Sequence, residues 1–184
     1  MKPFKAGWID YGRRCESPHF NARPDGEVSL LVIHNISLPA GKFGTPFIDQ
    51  LFQGCLEVEA DPSFCELKGL QVSAHFLIRR DGELVQYVSC DDRAWHAGVS
   101  CYQGRDGCND FAVGIELEGT DNIAYTDEQY QQLQQLTLAL FEAYPMLNVG
   151  SIVGHCDIAP GRKTDPGDSF DWPRYKMSLV DKGN

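Results

Sequence analysis

The sequence predicts a mixed α/β (or α+β) domain in which helices cover a central mixed β-sheet. Three observations carry this prediction: a continuous apolar run of strand length, two apolar runs around a turn signal, and a long segment with apolar residues at helical spacing. No internal repeat or low-complexity linker interrupts these signals. We therefore expect one domain over residues 1–184.

The first strong strand signal is SLLVIHNI, residues 29–36, a continuous apolar run that is typical of a strand buried on both faces. His34 falls near the carboxyl end of this strand. The segment TPFIDQLFQG follows and predicts a short helix, with Thr45 as N-cap, Pro46 at the first helical position and Gly54 as terminator.

A β-hairpin and a further strand come next. Two apolar runs in QVSAHFLIRRDGELVQYV flank Asp81-Gly82, a strong short-range signal for a hairpin. In FAVGIELEG, residues 111–119, the alternation predicts a strand with an apolar face and a carboxylate face. The apolar face comprises Val113, Ile115 and Leu117, and the opposite face carries Glu116 and Glu118.

The last third of the chain combines helices with a short strand. Thr126 and Gln129 predict a capping box ahead of apolar residues at helical spacing, and we expect this long helix to end before Pro145. A short strand is expected over residues 151–155, followed by a loop in GHCDIAPGRKTDPG. The segment DWPRYKMSLV predicts a final short helix.

Composition argues against several classes of function. The formal net charge of -10 at pH 7 disfavours nucleic acids and anionic membranes as partners, because the field of the protein would repel phosphates. The 7 cysteines are scattered without a C-x-x-C pair, which is typical of reduced thiols. No window approaches the ~18 consecutive apolar residues of a membrane span, and residues 1–10 lack a secretory signal pattern. We expect a cytosolic protein and a monomer.

Polar residues at the ends of the apolar strands are candidate ligands for a catalytic zinc ion, which takes three protein ligands and keeps one position open for water. His34 and His155 both lie at such ends, although either alone is more typical of a hydrogen-bonded structural histidine. Asp165, Asp157 and Cys156 compete for the third position. Adjacent residues of an extended chain point to opposite sides, so His155 and Cys156 are not expected to bind one ion together.

Further polar and aromatic residues have two interpretations each. Glu116 is either a general base or, like Glu118, a solvated carboxylate on a half-exposed strand. Lys163 is either a stabiliser of a developing oxyanion or a solvated loop cation. Trp95 and Tyr102 lie in the Gly-rich segment DRAWHAGVSCYQG, where they either stack on sugar or peptide or belong to the core.

The chain resembles the AmpD-type cytosolic 1,6-anhydro-N-acetylmuramoyl-L-alanine amidases of bacterial cell-wall recycling in six segments: LVIHNISLP, VSAHFLIRRDGELVQYV, RAWHAGVS, CNDFAVGIELEGTD, YTDEQYQQL and GHCDIAPGRKTDPGDSFDW. The similarity runs in order from Gly7 to Trp172. It implies the zinc amidase fold shared with peptidoglycan recognition proteins, a central mixed sheet flanked by helices. It also implies hydrolysis of the amide bond between (1,6-anhydro-)N-acetylmuramic acid and L-alanine in small muropeptides.

The resemblance also implies roles for individual residues. His34, His155 and Asp165 are expected to hold one zinc ion per chain, Glu116 to be the catalytic carboxylate, and Lys163 its partner. Cys156 and Asp157 are then structural. The expected substrate-binding residues are Asn35, Trp95, Tyr102 and Arg162.

One position departs from the pattern of these amidases. An arginine that helps to bind the stem-peptide carboxylates is expected just before VSAH, and here the position holds Gln71. We therefore expect that cation to be Arg162 alone or to come from elsewhere in the chain.

Two other functions compete with the amidase interpretation. A recognition module of the same fold binds muropeptide without cleaving it, but needs neither a metal triad nor Glu116 with Lys163. A thiol hydrolase would use Cys156 with His155, although neighbours in sequence rarely present nucleophile and base to each other. Sensitivity to a chelator separates the thiol mechanism from the zinc mechanism.

Overall fold

The computed structural model describes residues 3–180. Its helices are α1 (Phe47–Phe52), α2 (Asp127–Ala143), α3 (His155–Ile158) and α4 (Trp172–Val180). Its strands are β1 (Phe4–Lys5), β2 (Trp8–Ile9), β3 (Arg13–Arg14), β4 (Phe20–Ala22), β5 (Leu30–Ile36), β6 (Phe76–Ile78), β7 (Leu84–Gln86), β8 (Asp92–Ala94), β9 (Cys101–Tyr102), β10 (Arg105–Asp106), β11 (Ala112–Glu118) and β12 (Ile152–Gly154).

A six-stranded mixed sheet forms the centre of the fold, in the order β12-β5-β11-β6-β7-β3. β5 pairs in parallel with both β12 and β11, and β11 pairs in parallel with β6. β6 and β7 are antiparallel and form the predicted hairpin, whose Gly82 has a positive φ of 86° that favours glycine. The prediction of a mixed sheet covered by helices is confirmed.

The long helix α2 begins and ends as predicted. The Thr126 hydroxyl accepts a hydrogen bond from the Gln129 backbone N–H, and the Gln129 side chain accepts one from the Thr126 N–H, both at 3.1 Å. The helix ends at Ala143, two residues before Pro145. With α4, it covers one face of the sheet. The core there includes Ile33, Val113, Ile115, Leu117, Leu133, Leu136, Leu140 and Tyr175.

Two local predictions are wrong. Thr45 does not cap α1, because its hydroxyl donates to the carbonyl of Leu38 and the helix starts without a side-chain cap. The segment after β12 is not all loop: His155–Ile158 form one helical turn. The carboxylate of Asp157 accepts from the Gly154 N–H at 2.7 Å and stabilises the start of that turn.

Strand β11 is buried on both faces. Its side chains alternate as predicted, but Glu116 is 8% exposed and Glu118 only 1%. The Glu118 carboxylate accepts hydrogen bonds from the backbone N–H groups of Gly44 and Arg80 and from the Arg79 guanidinium, at 2.7, 3.2 and 3.3 Å. The interpretation of both glutamates as solvated carboxylates is therefore wrong. No helix within residues 3–180 is long and apolar enough to cross a membrane.

The cap of α2 gives a first prediction. Replacing Thr126 by Ala removes the acceptor for the Gln129 N–H and the hydroxyl that donates to the Arg80 carbonyl at 2.7 Å. We expect the free energy of unfolding to fall by about 1 kcal/mol, the usual cost of losing an N-cap, as measured by urea denaturation. Gln135→Ala, at an exposed position of the same helix, is the control and should change stability by less than about 0.5 kcal/mol.

Candidate metal centre

Strand pairing brings the candidate residues to one edge of the sheet. In the parallel β5–β11 pair, His34 lies directly opposite Glu116, and both side chains project from the face opposite the α2 core. On the other side of β5, the pairing of Gly154 with Ile33 places His155 immediately beyond the end of β12. The carboxyl ends of three parallel strands thus converge, as in many ligand sites of α/β proteins.

Three ligand atoms meet at this edge. The Nδ1 atoms of His34 and His155 are 3.0 Å apart, and Oδ2 of Asp165 lies 3.2 Å from the first and 3.0 Å from the second. Ligand atoms bound at about 2.1 Å to a tetrahedral zinc ion lie roughly 3.4 Å from one another. The triangle therefore has nearly the size that a zinc site requires, and the two imidazoles with a carboxylate are a suitable donor set.

The loop after α3 delivers Asp165 to the two histidines. The backbone N–H of Cys156 donates to the Asp165 carbonyl at 3.0 Å, and the Tyr125 hydroxyl donates to the Pro166 carbonyl at 2.7 Å. These bonds anchor the returning chain on both sides of the carboxylate. Of the three candidates for the third position, Asp165 lies in the cluster of possible ligands within residues 3–180, and Cys156 and Asp157 do not.

The protonation states of His34 and Asp165 favour the binding of a cation. Burial lowers the pKa of His34 to about 4, which keeps this imidazole neutral at pH 7. Burial alone would raise the pKa of Asp165, but hydrogen bonding to His155 and His34 outweighs it and holds that pKa below the ordinary range. Neutral imidazole and ionised carboxylate are the forms that bind a metal ion.

The other nitrogen of each imidazole also has a partner. Nε2 of His34 lies 2.9 Å from Nδ1 of His96, and Nε2 of His155 lies 3.2 Å from the carbonyl oxygen of Ala97. Metal-binding histidines almost always donate this second N–H to a neighbouring group. No spacing pattern in the sequence relates His96 or Ala97 to the two strand ends, so neither residue was predicted to belong to the site.

A cavity of about 290 Å³ opens beside the three ligands, and both Glu116 and Lys163 line it. Oε2 of Glu116 is buried and has no hydrogen-bond partner within residues 3–180. Burial, and then the charge of Asp165, raise the pKa of Glu116 well above its ordinary value, while Lys163 opposes the shift. A carboxylate of this kind, free of other bonds, is available to exchange a proton with a bound molecule.

Two of the expected substrate-binding residues line the same cavity. Trp95 stacks on His19 with ring centroids 6.1 Å apart, and its indole N–H donates to the Asn21 side chain at 2.9 Å. The Asn35 amide nitrogen donates to Asp121 at 2.8 Å and to the Pro166 carbonyl at 3.1 Å. Asn35 therefore holds the loop of Asp165 in place, and only its oxygen remains for a ligand.

The other expected substrate-binding residues are not among the residues that line this cavity. Nη2 of Arg162 donates to the carbonyls of Ala97 and Val99, both at 2.7 Å, so part of this guanidinium secures the chain near the site. Tyr102 lines a separate surface hollow that includes Phe111. Roles for Arg162 and Tyr102 in substrate binding stay predictions. Gln71, the position at which an arginine was expected, lines a different hollow.

Known proteins share this sequence and fold. Residues 24–168 match the N-acetylmuramoyl-L-alanine amidase family. The chain is 61% identical over 177 residues to the 1,6-anhydro-N-acetylmuramyl-L-alanine amidase AmpD of Escherichia coli (strain K12), and the match covers 96% of each chain. The crystal structure of a selenomethionine AmpD derivative superposes with a TM-score of 0.94 and 58% identity, over 96% of this chain and 99% of that one.

A more distant structure contains a bound substrate. The amidase AmiD from E. coli, in complex with anhydro-N-acetylmuramic acid-L-Ala-D-gamma-Glu-L-Lys, has a TM-score of 0.60 and 26% identity to this chain. The match covers 95% of this chain and 64% of that one. The fold is thus shared with a protein that accommodates a sugar-linked peptide.

The convergence of the three ligands gives a second prediction. We expect the purified, metal-loaded wild-type protein to hold about one zinc ion per chain. His34→Ala and Asp165→Ala each remove one of the three ligands, so both variants should lose this zinc. Elemental analysis after dialysis measures this content. Asp157→Asn is the matched control and should keep its zinc. Full zinc occupancy in either alanine variant would contradict the assignment of ligands.

Proposed function

The chain belongs to the N-acetylmuramoyl-L-alanine amidase family, and on this premise we propose that His34, His155 and Asp165 hold one zinc ion beside which Glu116 and Lys163 act. The protein hydrolyses the amide bond between 1,6-anhydro-N-acetylmuramic acid and L-alanine, a reaction of peptidoglycan recycling. The observation that carries the proposed site is the triangle of ligand atoms, no side longer than 3.2 Å, beside a buried carboxylate without a partner.

The substrate that we propose is a single small muropeptide, taken up by a monomer in the cytosol. Its support is the similarity over nearly the whole chain to AmpD, and the complex of AmiD with an anhydromuramyl peptide. The cavity has a polar end at the ligands and an apolar wall that includes Leu51, Leu67 and Leu70. A sugar-linked peptide presents both kinds of surface, and its scissile carbonyl belongs at the polar end.

Glu116 has the environment of a general base. A zinc ion, when bound, supplies Lewis acidity that makes water a competent nucleophile near neutral pH. Glu116 is held opposite His34 by the strand register and lines the same cavity, so its carboxyl group lies beside the proposed metal position. We assign to Glu116 the uptake of the proton that the attacking water releases.

The same carboxyl group then acts as an acid. Burial raises the pKa of Glu116, so the proton taken from water is retained long enough to pass to the leaving alanine nitrogen. Lys163 is an exposed cation at the wall of the cavity, and its ammonium is suited to stabilise the negative charge that develops on the carbonyl oxygen. The products are anhydro-N-acetylmuramic acid and the free stem peptide.

The role of Glu116 leads to a third prediction. Glu116→Gln keeps the size of the side chain but cannot accept the proton, so turnover of anhydro-muropeptide should fall by about 10²-fold or more. Zinc content should remain that of the wild type, because the three ligands are untouched. Steady-state kinetics and elemental analysis on the same preparation measure both quantities.

The control for this variant must be chosen with the burial of Glu118 in mind. Because Glu118 is bound to Arg79, its replacement would disturb packing, so it is not a neutral comparison. Glu142→Gln, at an exposed position near the end of α2, is the better control and should leave turnover unchanged. Near-normal turnover in Glu116→Gln would remove this residue from the reaction.

Lys163 gives a fourth prediction. If its ammonium acts mainly on the developing charge, Lys163→Ala should lower kcat with little change in KM, because the interaction strengthens only in the transition state. Steady-state kinetics with anhydro-muropeptide at several concentrations separate the two constants. A raised KM at unchanged kcat would instead mean that Lys163 binds the substrate in its ground state.

A further inference from the structure

Two consecutive residues, His96 and Ala97, contact the Nε2 atoms of the two proposed ligand imidazoles. His96 faces Nε2 of His34 at 2.9 Å, and the carbonyl of Ala97 faces Nε2 of His155 at 3.2 Å. We propose that His96 is a positioning residue which, by accepting a hydrogen bond from His34, turns Nδ1 of His34 towards the metal. This inference rests on the proposed zinc site and assigns no contact between His96 and the substrate.

The hydrogen-bond pattern determines the tautomers of the two rings. When Nδ1 of His34 binds a metal ion, the only ring proton of this neutral imidazole lies on Nε2. The neighbouring Nδ1 of His96 must then be the acceptor, and His96 carries its proton on Nε2. With the proton of His96 on Nδ1 instead, two N–H groups would point at each other or Nδ1 of His34 would be protonated and unable to bind the ion.

The fold gives the His96 ring a defined place. A Cβ atom at Gly114, on β11, would lie 2.5 Å from Cγ of His96, so the absence of a side chain at this strand position makes room for the ring. The side-chain oxygen of Asn109 accepts the backbone N–H groups of His96 and Ala97 at 3.1 and 2.8 Å. One amide side chain thus fixes the segment that contacts both imidazoles.

Packing alone does not account for a histidine at this position. Nε2 of His96 is shielded from solvent and has no hydrogen-bond partner within residues 3–180, which is unfavourable for a polar group. An apolar ring would avoid the unpaired N–H, but it would not accept the hydrogen bond of His34.

Zinc affinity tests this proposal in variants that separate ring size from hydrogen bonding. His96→Phe keeps a ring and removes the acceptor, so we expect the dissociation constant for zinc to rise by about 10-fold or more, the usual scale for such partners. In His96→Asn, the amide oxygen occupies nearly the position of Nδ1 and should restore most of the affinity. Competition with a chromophoric chelator measures the constants, and thermal unfolding of the zinc-free proteins reports on folding.

His19→Phe is the matched control. His19 is a buried histidine that stacks on Trp95 and contacts no proposed ligand, so its replacement should leave zinc affinity unchanged. Asn109→Ala extends the test, because loss of the acceptor for two backbone N–H groups should weaken zinc binding although Asn109 contacts neither imidazole. A uniform loss in all variants, the control included, would show general destabilisation and overturn the proposal.

NMR of the wild-type protein provides a signature that does not depend on any variant. In zinc-loaded protein with ¹⁵N-labelled histidine, we expect His96 to carry its proton on Nε2 and its Nδ1 to accept from His34. A proton on Nδ1 of His96, or wild-type zinc affinity in His96→Phe, would overturn the positioning role while leaving the zinc site intact. Failure of the wild type to bind zinc would overturn the proposed site itself.

Discussion

The parallel pairing of β5 with β11 is the constraint on which the rest of the site depends. Its register sets His34 opposite Glu116 on one face, and the same register buries Ile33 and Ile115 against α2 on the other. A slip of one residue would turn these side chains to opposite faces, so the apolar core and the polar site are specified together. The adjoining β5–β12 pair adds His155 at the same edge. Hydrophobic burial on one face of the sheet thereby fixes the position of the polar groups on the other face.

The site is completed by chain segments that are remote in sequence. Asp165 arrives on a loop tied down by Cys156, Tyr125 and Asn35, and residues 96–97 close over the imidazoles from the other side. Three lone-pair atoms about 3 Å apart repel one another unless a cation or a shared proton lies among them. These three atoms therefore favour binding of a cation, in a protein whose formal net charge is -10. A cation bound there, together with the ammonium of Lys163, would stabilise negative charge at the site although the protein as a whole is acidic.

Local signals in the sequence predicted the elements whose stabilising contacts are local. The hairpin at Asp81-Gly82 and the capping box of Thr126 formed as expected, because each depends on nearby residues. The strand of His34 also formed as expected although its partners β11 and β12 are remote, because its continuous apolar run already indicated burial on both faces. The ligand set followed from the resemblance to a family, since spacing alone left Asp165, Asp157 and Cys156 as alternatives. Contacts that no local sequence pattern specifies explain what was missed. Thr45 turned to Leu38 instead of capping α1, distant backbone groups covered Glu118, and His96 met His34 across 62 positions of sequence.

The central claim is that one zinc ion is held by Nδ1 of His34, Nδ1 of His155 and a carboxylate oxygen of Asp165, with Glu116 beside it. Crystals of the zinc-loaded protein, with diffraction data collected on both sides of the zinc absorption edge, test this claim most directly. We predict a single strong anomalous peak within about 2.0–2.3 Å of these three atoms, with a fourth position open towards Glu116. A peak bound through Cys156 or Asp157, ligation through Nε2 of either histidine, or no peak at this edge of the sheet would contradict the account.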